Sequence, residues 1–375
     1  MASSQPHPGH AQTFELPDLY LTIRRVEMFS KTMTEIGAVV LMTVLYSTGA
    51  RAVDHEPSPK PKLIAAFPKS QSTVFLRFAA NSKYLMVGTD GLSRFGSGSI
   101  VLYDVAAKTE AFKKDYNARV ISADISTDGR LLALSAGTCM LVDLRTKDQL
   151  RTLPASADMR FGDAESLYLQ SQSLVVLDAI TGDIKDLLGD LAPVASFTLS
   201  RDASRIAAVL DESTWPYIPG TVDNRTWRIS VWDVNNNSKV DELNGMAGFQ
   251  PSVVWNSEGS MLFVGGSPND RSAFIWELST GKKIALPRMG SLANRFAGVS
   301  HLLSVIATEK GGATVVLNAL DRPAASIPIA DFDDVSIAAV SENCDLLALG
   351  NRDRIAIYSL KDSLADFGRA TTQGR

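Results

Sequence analysis

Cysteine and histidine are scarce in this sequence, and each scarcity removes a class of function. Two cysteines among 375 residues exclude a disulfide-dense scaffold and a Cys-rich zinc site. Three of the four histidines, His7, His10 and His55, precede residue 56, so His301 stands alone in the body of the chain. A His-based metal centre or a Ser-His-Asp machine therefore has almost nothing to draw on, and no metal or cofactor is expected. An excess of one charge is missing too. Lys and Arg number 37 against 41 Asp and Glu, a formal charge of −4 without basic runs, which argues against a nucleic-acid partner held by phosphate neutralisation. Aromatic residues are few, at 7%, but 45% hydrophobic residues suffice to fill the core of one large domain or two ordinary ones.

The chain also lacks an apolar run long enough to span a bilayer. Residues 36–46 read IGAVVLMTVLY, short of the roughly 20 residues a spanning helix needs. Ala50-Arg51-Ala52 follows, a small-x-small pattern that signal peptidase reads, and then a polar, proline-rich stretch. These features predict a signal-peptide region over 1–52, cleaved after Ala52, and a linker over 53–62. Residues 1–27 look neither folded nor signal-like, so translation from Met28 or Met33 is an alternative start. Arg24-Arg25 does not make a twin-arginine signal, because Glu27 occupies a position that motif reserves for an apolar residue. The expected location is periplasmic or secreted. The competing reading is a membrane anchor through 36–49, bracketed by Glu35 and Arg51. Loss of 1–52 removes four basic and four acidic residues and leaves the charge at −4.

From residue 63 onward one pattern recurs: a strand, a turn rich in Asp, Gly, Ser or Asn, an apolar strand, and a strand that ends in an aromatic or aliphatic residue plus a polar one. The last of these reads IVLYD (100–104), MLVD (140–143), LVVLD (174–178), ISVWD (229–233), AFIWE (273–277), TVVLN (314–318) and IAIYS (355–359). Their final residues are spaced 39, 35, 55, 44, 41 and 41 apart. A strand-only repeat of that length is the mark of a propeller blade. The turns STDGR (126–130), SRDASR (200–205), NSEGSM (256–261), SENCD (341–345) and AANSKY (79–84) carry the residues that tolerate positive φ or close a hairpin with a side chain. The strands after them, such as RLLALSA and MLFVGG, are continuously apolar, as strands covered on both faces must be.

With the Trp232-Asp233 dipeptide, these hairpins and the period resemble the WD-repeat family of β-propellers over 63–364. The resemblance implies an all-β, seven-bladed β-propeller of four-stranded antiparallel blades. The family's Gly-His pair is missing from every repeat, so the family's hydrogen-bonded tetrad cannot form, and the label that fits is a degenerate bacterial-type member whose blades rely on packing. The segment 62–85 follows the same pattern as 282–303, which joins an outer strand to the next blade's first strand. Leu63–Phe67 should thus be an outer strand that pairs with 354–359 and closes the ring, removing both open edges. The alternative is an outer strand from Ser363–Phe367. Residues 365–375 are expected to be a flexible tail.

Little in the chain looks chemical. His301 occupies a hairpin position and reads as a solvated turn residue. Cys139 should be buried and Cys344 exposed in a turn, with no disulfide between them. The acids ending the third strands recur once per blade and are expected to cap turns. Asp178-Ala-Ile-Thr-Gly and Glu277-Leu-Ser-Thr-Gly resemble quinoprotein repeats but lack the tryptophan that should follow, and GSGS (96–99) precedes no helix that would make it a phosphate loop. The longest insertion, 211–226 in the fourth blade, carries Trp215, Tyr217 and Arg225. The equivalent loops of the first and fifth blades carry Arg94, Phe95, Asp270 and Arg271. In WD-repeat propellers these loops share one face, so the seven residues are the candidate partner-binding rim, rich in types that dominate binding energy. The expected function is an exported, monomeric, non-catalytic scaffold for a protein partner, without a membrane anchor after cleavage. The rival is a propeller that holds a small molecule in its channel, a lactonase-like hydrolase or a subunit of a periplasmic dehydrogenase. That rival requires charged side chains from several blades to converge on the channel.

Overall fold

A computed structural model describes residues 61–365 apart from 69–71, 91–96, 172, 187–193, 213–224, 248–249, 266–272, 287–290, 322–325 and 352. Seven four-stranded antiparallel sheets follow one another along the chain. The first begins at Ser72–Ala79, and its third strand is Gly98–Asp104. The innermost strands of the seven sheets are Ser72–Ala79, Ser122–Ile125, Asp158–Phe161, Val194–Leu199, Ser252–Trp255, Ser291–Ala297 and Ile337–Val340. Each touches the next, and the seventh touches the first, so they encircle a channel.

The ring closes as the sequence predicts. Lys62–Pro68 adds to the seventh sheet as its outer strand, antiparallel to Arg354–Ser359, with Phe67 opposite Ile355 and Lys62 opposite Ser359. Phe67 also stacks on Tyr103 of the first blade, ring centroids 3.8 Å apart. One apolar cluster thus joins Phe67, Leu76, Leu85 and Val101 to Ala348, Ile355 and Ile357, sealing first blade to last. The described part of the alternative outer strand is helical instead: 361–365 is helical, and Leu364 packs on the cluster between the sixth and seventh blades, while 366 and 367 lie outside the described residues.

The second strands bury both faces, and Leu131–Ala136 is buried at every position. Opposite Phe78, Ile125, Phe161, Leu199, Trp255, Phe296 and Val340 at the apolar ends of the inner strands, they place Leu85, Leu132, Leu167, Ile206, Leu262, Leu302 and Leu347, an apolar layer that fixes the register of all seven blades. A Cβ at Gly88 would run into the Phe75 ring of the neighbouring strand, so any larger residue there has to push that ring aside.

Packing is not the blades' only support, contrary to what the missing tetrad implies. A buried polar residue opens each of four hairpins and clasps it. Ser126 Oγ accepts from Leu131 N at 2.8 Å and donates to Asp128 at 2.6 Å. Ser200 accepts from Arg205 N at 2.9 Å and donates to Asp202 at 2.7 Å, and Ser341 does the same with Leu346 N and Asn343, both at 2.9 Å. Asn256 receives Ser260 N and Met261 N. Three residues after each clasp the chain takes positive φ, at Gly129, Ala203, Gly259 and Cys344. Cys344 therefore faces inward and is buried rather than exposed, and its thiol donates to the Phe296 carbonyl of the sixth blade at 3.2 Å. Burial pushes this thiol's pKa up to about 12, which keeps it protonated and unreactive. Cys139 is buried as expected, and both thiols are free.

Candidate functional site

The five acids that end third strands cap turns, whereas Asn318 bonds across its sheet to the Leu302 carbonyl and the Ser326 hydroxyl. Asp143 accepts from the amides of Arg145 and Thr146, Asp178 from Ile180 and Thr181, Asp233 from Asn236, and Asp104 from Ala107. Glu277 accepts from the Thr280 hydroxyl at 2.7 Å. His301 begins a second strand, with Nδ1 2.8 Å from Ser300 Oγ. Burial lowers its pKa, and Asp321 pulls the other way. None of these residues lines the channel cavity.

Of the candidate rim, Arg225 lies within the described residues. Its guanidinium sits over the buried Trp227 ring, 5.8 Å from the centroid, so part of its surface is spent on its own blade. Trp215, Tyr217, Arg94, Phe95, Asp270 and Arg271 lie outside the described residues.

The channel carries a feature that the sequence reading missed. One position before the apolar end of each inner strand stand Arg77, Asp124, Arg160, Thr198, Val254, Arg295 and Ala339, all at one level of the ring and all lining a cavity of about 480 Å³. Their pairing partners across the blade are Met86, Ala133, Tyr168, Ala207, Phe263, Leu303 and Ala348, which confirms the common level. Three of the seven are arginines. A repeat alignment anchored on the inner strands, rather than on the third strands, exposes this ring.

Asp158 organises one side of it. Its carboxylate accepts from Ser122 Oγ at 2.6 Å and from its own neighbour's amide, pairs closely with Arg160, and stands 3.7 Å from Arg77. Arg77 in turn donates to the Ala123 carbonyl at 2.9 Å, so these bonds tie three adjacent blades together. Burial alone would raise the Asp158 pKa, but Arg160, Arg77 and the Ser122 hydroxyl outweigh it and hold it below its usual value. Asp124 behaves oppositely: burial raises it against the pull of Arg77 and Arg160, and its carboxylate accepts the Phe161 amide at 2.8 Å. Burial also depresses Arg77, whose pKa falls to about 10, with Arg160 adding repulsion and Asp158 opposing.

At the mouth, Arg201 of the fourth blade pairs with Glu342 of the seventh at 3.4 Å, an exposed bridge across the ring. Turn residues Asn81, Ser82 and Thr127 share this mouth. Strands alternate in direction, so the turns joining first to second strands leave one face and the loops joining second to third strands leave the other. The charged mouth and Arg225 are therefore on opposite faces. Among the described residues no three His, Cys, Asp or Glu side chains could share a metal ion, and no helix is long and apolar enough to cross a membrane.

No protein-family model matches the sequence, and no curated protein matches it. Solved structures do match. A chain of the Mitotic Checkpoint Complex superimposes with TM-score 0.60 at 14% identity, covering 86% of this chain and 99% of that one. The β-propeller domain of Myceliophteria thermophila Cps50 (Swd1) gives 0.57 at 13%, covering 78% and 99%. A chain of Kuenenia stuttgartiensis Hydrazine Synthase gives 0.56 at 12%, covering 83% and 99%. The fold is a seven-bladed β-propeller. At such identities the likeness extends to the fold alone, and the propeller's activity has to be argued from its own residues.

Proposed function

We propose that this propeller is an exported, non-catalytic, monomeric scaffold, a degenerate bacterial-type relative of the WD-repeat propellers, that binds a protein partner through the loops joining second and third strands. The observation that carries the reading is the closed ring. Sealed by Lys62–Pro68, with clasped hairpins and both faces of Leu131–Ala136 buried, it is a platform on which loops can carry function. One of the similar structures is named for the Mitotic Checkpoint Complex, which fits a role in assembly. On this reading Trp215 and Tyr217 supply the apolar contacts. Arg225, Arg94, Arg271 and Asp270 supply the charged ones, with Phe95 beside them. The signal peptide is removed after Ala52 and the propeller is released into the periplasm or medium.

The test is expression of the full-length chain with a C-terminal tag in its native envelope, with and without replacement of 211–226 by a short Gly-Ser turn. The reading predicts a mature N-terminus at Val53 and a partner that co-purifies with the intact protein and is lost with the loop. A partner retained after replacement would remove the loop face from the account.

A further inference from the structure

The charges in the channel do not cancel locally, and their imbalance has a position. On one side, Asp158 sits between Arg160 and Arg77 and holds both. Arg160 is further fixed by the Met159 carbonyl at 2.9 Å and stands 6.0 Å from the Phe197 ring centroid. On the other side Arg295, from the sixth blade, forms no ion pair within 4 Å among the described residues. Its acidic neighbour Glu342 is already bound to Arg201. Burial lowers the Arg295 pKa, Glu342 and Cys344 oppose this, and Arg201 and Arg160 add to the lowering. Arg160 of the third blade and Arg201 of the fourth line the same cavity as Arg295.

Arg160, Arg201 and Arg295, lining one cavity of about 480 Å³, make a pre-organised oxyanion receptor. The volume falls in the range of small-molecule sites. Asp124 is engaged by the Phe161 amide and Asp158 by its arginines, and what the arginines offer is anion binding.

We propose that the channel mouth binds a small oxyanion bearing at least two negative charges, a phosphate or a dicarboxylate, bridged between Arg160 and Arg295 and reached by Arg201. The anion relieves the repulsion among the three cations and takes the place that Glu342 holds on Arg201. This site stands apart from the loop-face reading, since it lies on the opposite face and needs no protein partner.

Isothermal titration of the purified full chain at low ionic strength, with inorganic phosphate and with succinate in separate arms, tests it. Chloride and putrescine serve as controls. Heat is expected with one or both dianions and with neither control, and the arm that binds more tightly assigns the head group. Arg295→Gln is expected to weaken binding about ten-fold or more while melting no lower than the parent, because it removes a cation with no close partner. Arg295→Lys should fall between, since a point charge replaces a fork. Asp124→Asn, which deletes the acid at the same level, is expected to tighten binding. No heat with either dianion, unchanged binding by Arg295→Gln, or weakened binding by Asp124→Asn would each overturn the proposal.

Discussion

A chain that begins at Lys69 instead of Val53 is expected to lose its cooperative fold or to melt about 10–20 °C lower, because the strand it lacks closes the ring. Lys62–Pro68 makes the outer ladder of the seventh blade, and its removal bares the full edge of Arg354–Ser359. It also takes away Phe67, which is buried against Tyr103 and the first-to-last blade cluster. Truncating a buried Phe costs about 3–5 kcal/mol by itself, against a total stability of about 5–15 kcal/mol for a domain. Phe67→Ala is the milder arm and should cost that amount without exposing the edge. Thermal melts of the two chains decide the matter. A truncated chain that melts within a couple of degrees of the longer one would mean that the ladder is not what closes the propeller.

The second large effect is expected from Asp158→Asn. The substitution keeps the shape and removes the charge that holds Arg160 and Arg77, leaving two cations at the channel wall without their shared partner. Breaking a buried pair costs about 3–5 kcal/mol. These side chains are 19% and 25% exposed, so channel water screens part of that, and about 2–4 kcal/mol is expected here. The pH dependence has a definite sign. Because the folded-state pKa of Asp158 is depressed, its contribution is complete above the ordinary carboxylate value and is lost as pH falls through the folded value. The stability gap between parent and Asp158→Asn should therefore be widest near neutrality and shrink below about pH 4. A gap that persists unchanged into acid would show that the carboxylate's charge is not what it contributes. Chemical denaturation across that pH range measures it.

Much of this architecture was legible in the sequence because one residue pattern carries it. The seven third strands end in a polar residue, so the count of blades could be read from spacing, and five of these residues are acids whose capping role follows from their place before a turn. The closing strand was legible for a similar reason: 62–85 repeats the pattern of 282–303, and the unpaired outer strand at its start has one place to go. The position of Cys344 was not legible. Its turn resembles the others, but it stands at the positive-φ position that Gly129 and Gly259 hold elsewhere, and a side chain there is carried into the neighbouring blade. The clasping role of Ser126, Ser200 and Ser341 was hidden because serine in a turn looks like ordinary turn composition. The arginine ring was hidden for a different reason. Arg77, Arg160 and Arg295 lie in inner strands whose other residues differ from blade to blade, and they meet only when the ring closes.

The account of function rests on which face of the propeller meets a partner, and a photo-cross-linking residue placed at position 225 or at position 201 in the native host tests that directly. Position 225 belongs to the loops joining second and third strands, and position 201 belongs to the charged mouth on the other side. The account predicts a covalent adduct with a protein from 225 and none from 201. An adduct from 201 alone, or from neither position, would contradict it.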